Sequence, residues 1–188
     1  GSISIQGKHT GGNYLYVTAS PKIYSIGNQK GQFPDVGFHI PGEMGGIWMH
    51  PIKLMDGFTL TVDGKELTTG DEFLTFPYAT QFIYKQNGLK ITRTDFAVDS
   101  IPVLVSEWVL SNATNSNQTA NVEISLTPHL SPTWLSDRIG IIDGEDKELY
   151  FLDGTLMLKD ELNDWFSAAK VSGMSVKLLK RSFSHKAK

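Results

Sequence analysis

The sequence contains no cysteine, which excludes disulfides, thiolate metal sites and cysteine nucleophiles. It also lacks an apolar run near the roughly 20 residues that a membrane-spanning helix needs, so we predict no membrane span. Neither the glycine motifs of nucleotide-binding loops nor the G-x-S-x-G elbow of serine hydrolases is present. What remains is a chain of 188 residues, 40% hydrophobic and 20% charged, a composition typical of a globular domain with one sizeable core.

Basic residues are few in the body of the chain and concentrated at its end. Residues 1–169 contain 11 Lys and Arg against 20 Asp and Glu, whereas residues 170–188 contain six basic residues and no acid. A basic tail can bind nucleic acid or an anionic surface, but this tail carries no recognition motif and the body is acidic. We interpret it as a solvated terminus and predict no nucleic-acid partner.

Helical periodicity is scarce, and alternation of apolar and polar residues dominates. Asp63-Gly64 and Asn87-Gly88 are two-residue turns that favour positive φ, and each is flanked by alternating residues, which predicts two hairpins. Further strands are predicted at 14–18, 22–26, 103–112 and 120–130, around an acidic turn in 140–154, and within 173–185. Trp108 lies in the middle of one of these runs and is predicted to be a core residue.

One segment departs from this pattern. Residues 158–169 (LKDELNDWFSAA) place Leu158, Leu162 and Trp165 at three- to four-residue spacing, which predicts a short helix. The chain as a whole is predicted to be all-β, an antiparallel β-sandwich with at most one or two short helices. We expect a single domain over residues 1–188, with about the last ten residues frayed.

Residues 33–58 (FPDVGFHIPGEMGGIWMHPIKLMDGF) are too interrupted for a helix and too apolar for an idle loop. His39 and Glu43 have the four-residue spacing of ligands on a helix, but Pro41-Gly42 between them makes a helix there improbable. A metal centre from His39, Glu43, His50 and Asp56, or a pair of catalytic carboxylates among Asp35, Glu43 and Asp56, rests on residue type alone. We therefore predict no metal, no cofactor and no catalytic residue in this chain.

The tryptophans are more suggestive, because sugars stack their apolar faces on aromatic rings while their hydroxyls pair with polar side chains. Trp48 lies among Gly, Pro and acids, and Trp134 lies beside Asp137 and Arg138 in SPTWLSDR. The predicted contact residues for a saccharide or a partner domain are Trp48, Glu43, His50, His39, Asp35, Trp134, Asp137 and Arg138. Burial in the core is the competing interpretation for both tryptophans, and Ile47, Trp48, Ile52, Leu54 and Phe58 are expected to anchor the segment.

The stretch from residue 24 to residue 58, two hairpins and then VSEWVLSN carry a family resemblance. Its most specific part is PGEMGGIWMHPIKLMDGF, and it covers most of residues 14–170. The chain resembles the N-terminal β-supersandwich of bacterial, Bacteroidetes-type glycogen-debranching-like and six-hairpin glycoside hydrolases. In that family a sandwich similar to galactose mutarotase precedes an (α/α)6 catalytic barrel.

The resemblance implies an oligo- or polysaccharide ligand and a helical barrel as partner. The general acid and base of such enzymes lie on the barrel, so no catalytic residue is implied here, and the chain would be the sandwich without its catalytic domain. Residues 33–58 would be the piece that reaches the rim of the active site. The chain begins with Gly-Ser rather than Met, and with a leader removed we expect a periplasmic or secreted location.

Three functions follow as hypotheses. The first is a non-catalytic sandwich domain of a carbohydrate-active enzyme, which predicts an exposed apolar surface that the partner covers. The second is a stand-alone carbohydrate-binding module. The third is an epimerase or lyase, which needs a His and a carboxylate in one concave face, drawn from His39, His50 and His129 with Glu43, Glu107 or Glu123.

Overall fold

The computed structural model describes residues 5–7, 12–39 and 42–173, and fourteen strands and one 3₁₀ helix lie along them. The strands are β1 (Ile5–Gly7), β2 (Leu15–Ala19), β3 (Tyr24–Asn28), β4 (Gly46–Met49), β5 (Ile52–Val62), β6 (Lys65–Glu66), β7 (Glu72–Phe76), β8 (Ala79–Gln86), β9 (Leu89–Ala97), β10 (Leu104–Asn112), β11 (Val122–Pro132), β12 (Asp146–Leu152), β13 (Thr155–Asp160) and β14 (Phe166–Lys170). The 3₁₀ helix is Ser136–Ile139. Among these residues no helix has the length and hydropathy to cross a membrane.

The strands form three antiparallel sheets. The first has the order β1-β7-β8-β9-β10, and the second has the order β11-β5-β4-β3-β2, with β6 also paired to β5. The third is the small sheet β12-β13-β14. The first two sheets face each other across the main core, so the predicted all-β antiparallel sandwich with at most one or two short helices is confirmed.

The main core is built from alternate residues of both sheets. Its buried members are Tyr16, Leu60, Val62, Leu67, Phe73, Phe82, Tyr84, Leu89 and Ile91. The alternation is clear on β2, where Thr18 is buried and bonds Thr80 across the interface at 2.7 Å between hydroxyls, while Leu15 and Val17 are exposed. Trp108 packs on this core from β10, as its mid-strand position predicts.

The two predicted hairpins are present. Asn87 and Gly88 adopt φ of 52° and 75°, the left-handed pair that a two-residue turn between twisted strands requires, and Gly supplies the second at no steric cost. Asp63-Gly64 adopts the same conformation. A third turn of this type, Asp153-Gly154, joins β12 to β13, so residues 140–154 contain one strand and a turn at their end rather than two strands around an acidic turn.

The helix predicted over residues 158–169 is wrong. The segment is the end of β13, a turn, and β14. The turn is fixed by the buried carboxylate of Asp160, which accepts the backbone N–H groups of Leu162 (2.9 Å), Asn163 (2.7 Å) and Gly144 (2.9 Å). These local bonds give the backbone an alternative to a helical turn. Leu158 packs beside Leu130 in a second cluster, with strand periodicity rather than helical periodicity.

The segment 33–58 is only half irregular. Its second half contributes β4 and the first part of β5, two inner strands of the second sheet. Gly46 permits this pairing, because a Cβ there would collide with the backbone oxygen of Met55. The expected anchors are confirmed: Ile47, Trp48 and Ile52 are buried, and Leu54 and Phe58 pack against buried clusters.

The third sheet packs against the second through an apolar contact of its own. Leu158 of β13 meets Ile52 of β5 and Leu130 of β11, with Leu156 and Trp165 packed around them. This contact fixes one end of β11 and the loop that follows it, where Trp134 lies. The final strand predicted within residues 173–185 falls almost entirely outside the described residues.

Candidate functional site

An open pocket of about 390 Å³ lies on the outer face of the second sheet. It is lined by Tyr24, Ile26, Phe38, His39, Glu43, Met44, Trp48, His50, Thr133, Trp134 and Leu135. Its position follows from the strand register. Ser25 is fully buried opposite Thr18, which faces the first sheet, so Tyr24 and Ile26 on either side of Ser25 point away from the core. Trp48 is the register partner of Tyr24 and shares this face.

Trp48 forms the floor of the pocket. Its side chain is 3% exposed, its ring stacks on Tyr24 at 6.5 Å with an interplanar angle of 7°, and its Nε1 donates to the backbone oxygen of Gly45 at 2.9 Å. Burial raises the pKa of the Tyr24 hydroxyl above its ordinary value. Trp48 is therefore a well-packed residue that also lines the cavity, rather than an exposed aromatic ring.

The loop before β4 forms one wall of the pocket, and Glu43 shapes it. Glu43 Oε1 accepts the backbone N–H of Phe38 at 2.7 Å and that of His39 at 2.9 Å. The backbone N–H of Met44 donates to Val36 O at 2.8 Å, which closes the loop further. Glu43 thus stabilises the conformation of this loop, and its Oε1 is already engaged in hydrogen bonds to the backbone.

Trp134, on the loop after β11, forms the opposite wall. Its side chain is 41% exposed, more than that of any other pocket residue except Phe38 and Leu135 among those with large apolar side chains. The ring of His39 lies 4.6 Å from it at 40°, and Cζ of Arg138 lies 5.7 Å from its centroid. The two segments singled out in the sequence, 33–58 and 131–138, therefore meet around one indole ring.

A charged cluster lies beside Trp48 and was not predicted as a unit; Lys53 is the register partner of Trp48, and its Nζ lies 5.7 Å from the centroid of that ring. Lys53, nearly buried on β5, pairs with Asp56 and donates to Gly42 O at 2.7 Å, which ties the pocket wall to the sheet. Irregular pairing between β5 and β11 lets His129 Nδ1 donate to Asp56 Oδ1 at 3.0 Å. Burial alone would raise the pKa of Asp56, but the bonds from His129 and Lys53 lower it to about 2.

The pocket gathers most of the predicted contact residues. Trp48, Glu43, His50, His39 and Trp134 line it, and Arg138 lies against Trp134 at its rim. Asp35 is not among the lining residues, and the side chain of Asp137 falls outside what the structure describes. The lining residues outside the predicted set are Tyr24, Ile26, Phe38, Met44, Thr133 and Leu135. The strand register places Tyr24 beside Trp48, and the loop after β11 places Thr133 and Leu135 beside Trp134.

The metal centre and the pair of catalytic carboxylates that were considered from residue type alone gain no support from the positions of these side chains. Across residues 5–7, 12–39 and 42–173, no three His, Asp or Glu side chains lie close enough to hold a metal ion. Asp56 pairs with Lys53 and His129, whereas Glu43 braces the loop, so these two carboxylates serve separate local networks. The pocket does bring His39 and His50 to the same cavity as Glu43.

Comparisons with family models, curated proteins and solved structures found no match to this chain. The resemblance to sandwich domains of glycoside hydrolases therefore stays a prediction from the sequence. The chemistry of the pocket and of the surface around it is the basis on which a function can be proposed.

Proposed function

We propose that this β-sandwich is a non-catalytic domain of a carbohydrate-active enzyme that contacts a saccharide through the pocket between Trp48 and Trp134. The observation that carries the proposal is the lining: three aromatic residues, Tyr24, Trp48 and Trp134, with Phe38 at the mouth. A sugar ring presents flat CH surfaces to such rings. The volume of about 390 Å³ falls in the range of small-ligand sites.

The polar groups of the pocket suit the hydroxyls of a sugar. His39 and His50 offer ring nitrogens that donate or accept, and Thr133 offers a hydroxyl. They are few and placed around the aromatic surface, which is the usual arrangement in a pocket that orients a ligand by hydrogen bonds and holds it by apolar contact.

Apolar surface continues beyond the pocket, which supports a role beside another domain. Val17 of β2 pairs with Ile26 of the pocket floor and is 57% exposed, and Leu15 on the same face is 46% exposed. Met44 and Leu135 at the pocket walls are exposed to a similar extent. A partner such as the (α/α)6 barrel implied by the resemblance would cover this surface; a stand-alone carbohydrate-binding module is the alternative.

An epimerase or lyase is less well supported. Such chemistry needs a carboxylate free to exchange a proton with the substrate. Glu43, the acid in the pocket, has Oε1 bonded to two backbone N–H groups. Glu107 and Glu123 lie on β10 and β11 and do not line the cavity.

The proposal is tested by titrating the protein with a panel of glucans and host glycans, up to millimolar sugar. Calorimetry or NMR measures the binding. Trp134→Ala should weaken binding of the best ligand at least about tenfold, which is roughly 1.4 kcal/mol. Tyr78→Ala is the matched control, because Tyr78 is 67% exposed at the β7–β8 turn, away from the pocket, and its loss should change affinity less than about twofold. No binding by a folded protein, or equal effects of the two variants, would overturn the proposal.

A further inference from the structure

Nitrogen donors cluster around the Trp134 ring. His39 contacts the ring at 4.6 Å, Arg138 lies 5.7 Å from its centroid, and His50 lines the same cavity. The Arg138 side chain is exposed, and among the described residues no acceptor is bonded to its guanidinium. A guanidinium carries five N–H donors and no acceptor, so this exposed group is suited to bond the oxygens of a ligand.

Negative charge at the pocket is limited and already engaged. Among the described residues that line the pocket Glu43 is the one acid, and two backbone N–H groups donate to its Oε1. Such charge-assisted bonds offset part of a carboxylate charge. Beside Trp48, Lys53 is paired with Asp56, so their opposite charges largely cancel in the electrostatic potential at the pocket.

The residue type and the exposed position of Arg138 also favour an anionic ligand. The body of the chain, residues 1–169, is acidic and contains two arginines, Arg93 and Arg138. Arg93 is buried in the sandwich core, so Arg138 at the pocket rim is the exposed one. Arginine differs from lysine because its planar fork binds a carboxylate or a sulfate through two parallel hydrogen bonds.

From this arrangement we infer that the pocket selects a saccharide bearing an anionic group, a carboxylate or a sulfate, over its neutral counterpart. The inference rests on the proposed saccharide-binding function. The sugar ring packs against the indole of Trp134, its anionic group bonds the guanidinium of Arg138, and His39 and His50 donate to the remaining oxygens.

The test compares oligosaccharides of equal length and linkage in three forms: neutral, uronate and sulfated. At low salt an acidic form should bind at least tenfold more tightly than the neutral one. Raising NaCl from about 20 to about 300 mM should weaken the acidic ligand several-fold and leave the neutral ligand nearly unchanged, because salt screens an exposed ion pair. A preference for only the uronate or only the sulfated form also supports the inference and identifies the anionic group.

Arg138→Gln should lower the acidic-to-neutral affinity ratio at least fivefold, and Arg138→Lys should lower it less. Lys90→Gln is the control, since it removes one exposed positive charge from β9, on the other sheet. Equal affinity for acidic and neutral sugars, or an unchanged ratio in Arg138→Gln, would overturn the inference while leaving saccharide binding intact. Absence of binding by every sugar would overturn the proposed function as well.

Discussion

Two arginines of the described part of the chain lie against aromatic rings, one in the sandwich core and one at the pocket. Arg93 on β9 is 1% exposed, and its Cζ lies 4.4 to 5.6 Å from four rings, those of Phe33, Phe58, Phe82 and Trp108. Arg138 lies 5.7 Å from the single ring of Trp134 and is exposed. The same contact between a guanidinium and an aromatic face occurs in both places.

The difference lies in the hydrogen-bond donors. Arg93 donates from Nε and Nη2 to Asp95 at 2.9 and 2.5 Å and from Nη1 to Gly31 O at 2.7 Å. Burial disfavours its charge, but Asp95 outweighs burial and holds the pKa of Arg93 above its ordinary value. An arginine with its donors satisfied inside a protein holds structure together. One whose donors face solvent is available to a ligand, and this contrast makes Arg138 the functional candidate.

The largest effect should come from breaking the buried pair. Arg93→Met leaves the buried Asp95 carboxylate without its guanidinium partner, although the Ser106 hydroxyl still donates to it at 2.6 Å. Removing one member of a buried ion pair costs about 3–5 kcal/mol of unfolding free energy. Urea denaturation followed by tryptophan fluorescence measures this loss.

The double variant Arg93→Met/Asp95→Leu controls for this interpretation. It removes both charges, so it should be more stable than Arg93→Met alone, because no buried charge is left without a partner. A single variant destabilised by less than about 1 kcal/mol would show that the core tolerates a lone carboxylate, and the contrast between the two arginines would lose its energetic basis.

The Lys53–Asp56–His129 cluster is intermediate between the two arginines, since Lys53 is 3% and Asp56 38% exposed in their side chains. The pKa of Asp56 is lowered from 3.8 to about 2 in the folded protein. A depressed pKa stabilises the fold above the unfolded value, and this contribution is lost as the pH falls from about 4 to about 2. Asp56→Asn should remove this part of the acid dependence, on the order of 1 kcal/mol after solvent screening.

The measurement is the unfolding free energy of both proteins at several pH values between 6 and 2. The gap between wild type and Asp56→Asn should be widest above pH 4 and narrow towards pH 2. Glu107→Gln, an exposed acid on β10, serves as the control and should leave the profile parallel to that of the wild type. A gap that stays constant with pH would show that Asp56 contributes by packing rather than by charge.

Much of the fold could be predicted from the sequence because its turns are encoded locally. Asn87-Gly88 and Asp63-Gly64 have the residues that positive φ demands, and alternating side chains on both sides fix the strands. Asp153-Gly154 carries the same signal and joins β12 to β13, but the run of acids before it makes this turn less distinct in the sequence.

The incorrectly predicted helix over residues 158–169 shows where the local sequence pattern fails to predict secondary structure. Leu158 and Leu162 have helical spacing, but Leu158 is 1% exposed in a β-sheet contact and Leu162 is 64% exposed. The outcome depends on Asp160, whose carboxylate bonds a backbone N–H of residue 144, sixteen positions away. No periodicity in the sequence reports a hydrogen bond between residues this far apart in the chain.

The site was predictable by residue type but not by arrangement. Trp48 and Trp134 could be nominated because each lies among breakers and polar residues, and they do line one pocket. That Tyr24 stacks on Trp48 depends on the pairing of β3 with β4, which is a property of the sheet order. Likewise, Asp56 meets His129 only through the irregular pairing of β5 with β11.

The smallest effect on stability should come from the exposed arginine. Arg138→Met keeps the apolar stem over Trp134 and removes the charge, so the unfolding free energy should change by less than about 0.5 kcal/mol, as for most exposed ion contacts. Urea denaturation beside Arg93→Met gives the comparison directly. A loss above about 2 kcal/mol would mean that Arg138 is held as firmly as Arg93. The N–H donors of Arg138 would then be engaged in the fold rather than open to an anionic ligand. Such a result would contradict the binding role proposed for Arg138.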